Sequence, residues 1–449
     1  MEQVIKQELI TDKSQLLDYF HKGSKSRTDF KVGMELEKLA VNPFDCKAIP
    51  YSKGIESFLK RYGNGYVSED GHVLGVKQDS GIISLEPGSQ CEISTFPVQS
   101  LHDLKQSIVS YNKKSSLIAD DLDFWWIGYG VQPVSTYNDI ELIPKKRYAY
   151  MTDYLPDKGH LALVMMRETA GIQVAVDYES EEDAINKFRI SLALSPIATA
   201  MFANSPIREK KDTGYKSFRA LSWLNTDEAR CGLVSKKLFN HDYEYTFEDH
   251  IEVLLDLPMI FIQKDSAFIG MKGRSFRDYL NNGFEGYKAS MDDWFLHSNL
   301  FFPDVRLNNY IEIRNCDSQR EDLILAPAAL WKGILYNQDA MQAAFDLVKK
   351  LSYENLMELR RLVPKYALDT SIDSFKVSEA AKELVNIAYK SLKQMNIQDK
   401  NTNDESVYLE SISELVNQSK TPADLILQRW NSDWKRNVAK LVEYSRISS

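Results

Sequence analysis

Phe30-Lys-Val-Gly-Met-Glu35-Leu-Glu37-Lys-Leu-Ala-Val41 alternates Phe, Val, Met and Leu against Lys, Gly, Glu and Glu at a period of two. Side chains of a β-strand point alternately to opposite faces, so this stretch reads as a strand with Glu35 and Glu37 on one side and Met34 and Leu36 on the other. Four further segments repeat the pattern: Ser84-Leu-Glu86-Pro-Gly-Ser-Gln90-Cys-Glu92, Gly171-Ile-Gln173-Val-Ala-Val-Asp177, Arg306-Leu-Asn308-Asn, and Tyr310-Ile-Glu312-Ile-Arg314. In each, polar groups share one parity while Ile93, Val174, Val176, Ile311 and Ile313 take the other. The expectation is a sheet with one polar face and one face on a core.

Outward from these segments, strands are expected at 82–95, 123–130, 259–264 and 304–314, with helices near 11–22, 54–62, 100–120, 183–203 and 247–255. Strands interrupted by helices predict an α+β fold with a largely antiparallel sheet. From about residue 324 the periodicity becomes helical, over 326–350, 377–393 and 406–418. Thr421-Pro-Ala-Asp424 then offers an N-cap, a proline at the first helical position and an acid in the first turn, opening a helix to about Tyr444. The polar run 398–405 reads as a surface loop. The organisation expected is one catalytic domain over 1–449, sheet-rich to 323 and helical from 324.

A formal charge of −9 over 449 residues argues against a nucleic-acid or anionic-membrane surface, which needs a basic stripe. A charged start, Met1-Glu-Gln-Val-Ile-Lys, and the lack of a long apolar run predict a cytoplasmic protein without a membrane span. The four cysteines, Cys46, Cys91, Cys231 and Cys316, form no pair motif and suggest neither zinc nor disulfides. His241 and His250 read as structural.

Carboxylates gathered from several strands can hold a hard divalent cation or act as acid and base. Without a metal so many acids would repel one another, so Mg²⁺ or Mn²⁺ held by Glu35, Glu37, Glu86, Glu92 and Glu312 with Gln173 is the more economical reading. The competing reading is a solvated strand face, which antiparallel sheets often have. Arg147, Arg167, Arg219, Arg306 and Arg314 are the complement, because a guanidinium fork grips carboxylate or phosphate. Neither G-x-x-x-x-G-K-[ST] nor G-x-S-x-G is present, so any ATP phosphates are expected to be met by metals and arginines, without a covalent serine.

These segments resemble the plant-type glutamate–cysteine ligases, which also occur in bacteria, within the glutamine synthetase-like superfamily. The likeness runs from about Gly33 to Trp331. It is carried by Gly33-Met-Glu-Leu-Glu-Lys38, Ser84 to Ser94, Arg147-Tyr148 with Met151, Met165-Met166 with Ile172-Gln-Val, Lys187-Phe-Arg189, Pro196 to Pro206, Ser275-Phe-Arg-Asp278 and Val305 to Arg314. The resemblance implies an antiparallel sheet forming an active-site funnel surrounded by helices. It further implies ATP-dependent joining of the γ-carboxyl of glutamate to the amine of cysteine through a γ-glutamyl phosphate, the first step toward glutathione.

Carried over by motif, Glu37, Glu86 and Glu92 would ligate one metal, and Glu35, Gln173 and Glu312 a second near the ATP phosphates. Arg147, Arg219 and Met166 would bind substrate, and Arg314 and Arg306 would face the transferred phosphoryl group. Arg167-Glu-Thr-Ala170 stands where the plant pattern has Leu-Arg-Thr-Cys. Met271 and Leu325 stand near positions of regulatory cysteines, so thiol control is not expected. A monomer or homodimer is expected. A γ-glutamyl ligase for another amine, a guanidino phosphotransferase and a silent metal-binding subunit stay open.

Overall fold

The computed structural model describes residues 8–240, 242–264 and 267–448; the N-terminal residues Met1 to Gln7 and His241 lie outside them. Nine strands form one antiparallel sheet: β1 (Val32–Val41), β2 (Tyr66–Glu69), β3 (His72–Gln78), β4 (Gly81–Leu85), β5 (Cys91–Thr95), β6 (Trp125–Ile127), β7 (Gly171–Val176), β8 (Val305–Leu307) and β9 (Ile311–Asp317). Their order is β8-β9-β7-β1-β5-β4-β3-β2, with β6 paired to the far end of β1. The α+β, largely antiparallel expectation holds, and the sequence segments with alternating polar groups lie on the consecutive strands from β8 to β4.

Helices important to the site and its support are α1 (Leu101–Asp120), α2 (Lys146–Tyr154), α3 (Glu181–Met201), α4 (Phe218–Leu224), α5 (Ala326–Leu335), α6 (Pro422–Asn431) and α7 (Val438–Ser445). Val32, Met34, Leu36, Ile93, Val174, Val176, Ile311 and Ile313 are buried in one core shared with α1, α3 and α5. On the other face β1 has two environments. Glu35 and Glu37 stay polar, while Leu39 and Val41, of the same parity, are sealed with Ile426, Trp430, Leu441 and Val442 of α6 and α7. The C-terminal helices thus close the sheet face where the acids end.

Several sequence expectations need correction. The strand expected at 82–95 is two strands, because Pro87 removes a ladder donor and Ser89 takes φ +68°, closing a hairpin with Glu86 N–H on Gln90 O at 3.0 Å. The 304–314 strand is likewise the hairpin β8–β9. The 326–350 helix breaks after Leu335, and Asn337 caps its successor Gln338–Val348. The last helix divides into α6 and α7 around Lys435 and Arg436, both at positive φ. The 406–418 helix starts as a tight 3₁₀ turn over Glu405–Leu409 before Glu410–Asn417. The 259–264 strand joins a separate hairpin, Phe261–Lys264 with Ala267–Gly270. Tyr353–Tyr366 is a helix that the sequence reading left out, its apolar stripe being short and interrupted by Pro364. The capping box at Thr421 and Asp424 forms as expected.

A buried ion pair within the helical C-terminal part is bonded in turn to the start of α1 and so ties that part to the sheet-rich one. Lys332 on α5 contacts Glu405 at 2.6 Å and also donates to Gln99 O at 2.8 Å, while Glu405 receives the N–H of Leu101 at the start of α1. Both side chains are almost fully buried. Truncating one partner of such a pair strands the other charge away from water. Lys332→Met is expected to cost about 3 kcal/mol, with Lys332→Met/Glu405→Leu recovering much of that loss, as read by urea unfolding of the purified chain.

Candidate active site

Strand register builds the site. Glu35 lies directly across from Gln173 of β7 and Ser94 of β5, and Glu37 directly across from Glu92, itself opposite Ser84 of β4. Glu312 lies opposite Arg306 of β8. Directly opposed residues of antiparallel strands share a face with Cβ atoms about 5 Å apart. The polar face is therefore a row of carboxylates, amide and hydroxyls crossing five strands. It floors a cavity of about 250 Å³ lined by Glu35, Glu37, Glu86, Glu92, Gln173, Arg147, Arg219, Arg306 and Arg314.

Like charges placed opposite one another are unfavourable, and burial adds to the cost. Loss of water, and then the charges of Glu86 and Glu37, push the Glu92 carboxyl up to about 8. Burial raises Glu37 to about 7 although Arg219 opposes the shift, and Glu35 rises well above the usual carboxylate range through burial and the charges of Glu92 and Glu312. Neutral donors offset part of this. Glu37 accepts the Gly171 N–H at 2.5 Å and Gln173 Nε2 at 3.3 Å; Glu92 accepts the hydroxyls of Ser84 and Ser94 at 3.1 and 2.9 Å.

The arginines come from two helices and two strands. Arg147 is in the first turn of α2, its Nη2 donating to Tyr148 Oη at 2.9 Å while its Nε has no partner. Arg219 is on α4, whose N-cap is Ser217. Its Nη2 donates to the Arg314 carbonyl at 3.0 Å, and its buried Nε is unpartnered. Gly171 makes this approach possible, because a Cβ there would stand 2.6 Å from the guanidinium carbon of Arg219. Arg314 on β9 donates to Gln173 Oε1 and to Glu312. Arg306 grips Glu312 in a bidentate contact at 2.7–3.0 Å, and its Nη1 is spent on the carbonyls of Asn299 and Phe301.

The structure brings together all but one of the residues expected at the site. Glu312 is absent from the lining: it lies beneath it, 1 % exposed, and the two guanidiniums hold it below the ordinary glutamate range despite its burial. Met166 lines the cavity beside Met165 and Met151. Gln90 is structural in its bonding, its Nε2 donating to the carbonyls of Met166 and Thr169 and its Oε1 accepting from Gly88. Asp177 is engaged elsewhere, by Lys25 and the Lys31 N–H, and Arg167 donates to Tyr137 O. Sequence reasoning missed the opposite wall, Leu296, Asn299, Leu300 and Phe302, with Trp223 beside it. No pattern in the chain marks these residues, since a helix end and a short strand deliver them.

Among the described residues no three carboxylate, thiol or imidazole groups converge closely enough to hold an ion as the side chains stand. The donor set is nonetheless of the kind a hard divalent cation takes. Glu35, Glu37, Glu86 and Glu92 offer oxygens to one cavity, and their uncompensated charge is what a cation relieves. Gln173 and Glu312 are held by Arg314 instead.

The profile of the family described as glutamate-cysteine ligase family 2 matches residues 31–444. The chain is 33 % identical over 437 residues to the chloroplastic glutamate–cysteine ligase of Nicotiana tabacum, covering 96 % of this chain and 82 % of that protein. The corresponding enzyme of Arabidopsis thaliana is 33 % identical over 448 residues, covering 98 % and 84 %. Among solved structures, a glutamate–cysteine ligase of Francisella tularensis in complex with AMP superposes with a TM-score of 0.58 at 13 % identity, covering 92 % of this chain and 88 % of that one. That likeness is one of fold.

Glu92→Gln removes one of two opposed buried carboxyls, the one that burial and its acidic neighbours raise to about 8. Calorimetric titration with Mn²⁺ at neutral pH should show affinity falling at least about tenfold, while the metal-free variant gains about 1 kcal/mol, because a carboxyl whose folded-state pKa is raised costs stability above its unfolded value and an amide does not. Unchanged Mn²⁺ affinity would remove Glu92 from the metal-binding set.

Proposed function

The chain belongs to glutamate–cysteine ligase family 2, and from that premise we propose how its acid-lined cavity joins the γ-carboxyl of glutamate to the amine of cysteine at the expense of ATP. The product is γ-glutamylcysteine, the precursor of glutathione. The observation that carries this reading is the meeting, in one cavity of about 250 Å³, of four carboxylates with Arg147, Arg219 and Arg314. Acids suit metal-bound nucleotide phosphates; arginines suit the carboxylates of an amino acid and a phosphoryl group in transfer.

In this reading Arg147 and Arg219, each with an unpartnered Nε, hold glutamate. Its γ-carboxylate oxygen attacks the γ-phosphorus of ATP, ADP departs, and an acyl phosphate forms. The cysteine nitrogen then attacks the acyl carbon, loses a proton, and phosphate leaves with the former carboxylate oxygen. Arg314 faces the charge developing on the phosphoryl oxygens. Arg306, with its donors already engaged, orients Glu312 and through it Arg314.

Mg²⁺ or Mn²⁺ would be held by Glu37, Glu86 and Glu92, and a second ion by Glu35, Gln173 and Glu312, supplying Lewis-acid neutralisation of the phosphates. Competition by anionic substrate for Arg314 would free Gln173 Oε1 and remove one of the two guanidiniums from Glu312, Arg306 staying in place. Trp223, Phe302, Leu296 and Leu300 form an apolar wall that keeps water from an acyl phosphate. No helix of the described residues is long and apolar enough to cross a membrane. A cytoplasmic location is a proposal from sequence alone, and relatives named as chloroplastic lend it no support.

Incubating the enzyme with Mg-ATP, glutamate and a panel of amines tests the reading. ADP, phosphate and γ-glutamylcysteine are expected in equal amounts, with cysteine preferred. A phosphorylated guanidine made without free phosphate, or indifference to the amine, would overturn it. Arg314→Lys keeps the charge but loses the fork and is expected to lower kcat about a hundredfold.

A further inference from the structure

Asp317 ends β9, the strand that carries Glu312 and Arg314, and it does not line the cavity. Its carboxylate is 1 % exposed and has three donors: the Asn204 N–H at 2.8 Å and Ser205 Oγ at 2.7 Å on one oxygen, and Ser217 Oγ at 2.8 Å on the other. Gly130 leaves the space, since a Cβ there would stand 2.8 Å from the carboxyl carbon.

A serine hydroxyl has a single proton to give. Ser205 and Ser217 both give theirs to Asp317, so their lone pairs are left to accept, and both accept from the first turn of α4. Ser205 Oγ takes the N–H of Arg219 at 3.2 Å, and Ser217 Oγ takes the N–H of Ala220 at 3.0 Å as N-cap. The Arg219 guanidinium then returns to β9 through the Arg314 carbonyl at 3.0 Å. Asp317 thereby closes a loop of contacts from β9 through two hydroxyls to the backbone of Arg219 and back to Arg314. Backbone bonds hold the chain up to Phe218, with the Lys216 and Ser217 N–H groups on Pro364 O and the Phe218 N–H on Ser205 O, and the two hydroxyls under Asp317 take the next N–H groups, those of Arg219 and Ala220.

We infer that Asp317 is a positioning residue of the ligation, fixing Arg219 relative to Arg314 and so the distance between bound glutamate and the phosphoryl group it attacks. The inference rests on Arg219 holding glutamate. The effect of Asp317 falls first on glutamate, because the hydrogen bonds of the loop end on Arg219 and the Arg314 carbonyl and none ends on an acid of the metal-binding set, Glu37 sensing Arg219 through its charge alone.

The test is steady-state kinetics on the full chain for Ser217→Ala, Ser217→Thr, Asp317→Asn and Arg219→Lys, with Thr421→Ala as a cap deletion remote from the site. Ser217→Ala and Asp317→Asn should each raise the KM for glutamate about tenfold and leave the KM for ATP within about twofold. Ser217→Thr, which keeps the hydroxyl, should restore the wild-type value, and Thr421→Ala should leave both constants unchanged while lowering the thermal midpoint. Glutamate KM unmoved in Ser217→Ala and Asp317→Asn but raised in Arg219→Lys would overturn the positioning role alone. Glutamate KM unmoved in Arg219→Lys would overturn the substrate role of Arg219 as well. If Asp317→Asn does not fold, Ser217→Ala against Ser217→Thr decides.

Discussion

Glu37 and Glu92 face one another across a strand pair at the centre of the sheet, both buried, and much of the structure around them answers that repulsion. Two like charges opposed out of water are costly, and a sheet gives them no freedom to separate because register fixes their Cα atoms. The chain supplies partial compensation from every side: Gly171 N–H and Gln173 to Glu37, two serine hydroxyls to Glu92, and the guanidinium of Arg219 nearby. What is left over is a standing demand for positive charge, which a cation or a cationic substrate group meets.

Such a site needs a rigid support, and β1 shows how it is supplied. Its Val32, Met34 and Leu36 anchor one face in the main core, while Leu39 and Val41 are covered by α6 and α7 on the other. Lys38, between them, is fully buried and held by Asn112, Ser115 and the rings of Tyr111 and Trp126 at 3.9 and 5.3 Å, with no carboxylate against it among the described residues, and burial lowers it to about 7. The strand therefore carries unfavourable charge on both faces, offset by apolar packing along its whole length.

The arginines divide by how far their hydrogens are already engaged. Arg306 has given all its donor groups to Glu312 and two carbonyls and acts as scaffold. Arg147 and Arg219 keep an unpartnered Nε, and such buried donors mark where a ligand completes the hydrogen-bond set. Asp317, Ser205 and Ser217 extend the same economy one layer outward, since each hydroxyl there gives its proton to Asp317 and accepts one backbone N–H.

The alternation of Glu35 and Glu37 with Met34 and Leu36 was sufficient by itself to identify a strand with a polar face, because a period of two is a local property of the backbone. The capping box at Thr421 was legible for the same reason: its partners lie three residues apart. The family likeness placed the carboxylates and arginines, yet the pairing of Glu37 with Glu92, and of Glu35 with Gln173, is a matter of register between strands 55 and 138 residues apart in the chain. Breaks at Pro87, Asn337 and Arg436 turned continuous periodic runs into separate elements, since a single turn residue overrides a pattern that extends past it. Leu296, Leu300 and Phe302, the wall across from the acids, carry no sequence signature, and Ser205, though within the segment Pro196 to Pro206 that bears the likeness, gives no local sign of its bond to Asp317. Sequence determined which chemistry the sheet face can bear; only the tertiary structure decided that Glu312 is bound by two arginines and Arg219 is held by Asp317, because hydrogen-bond partners are chosen by distance in the fold.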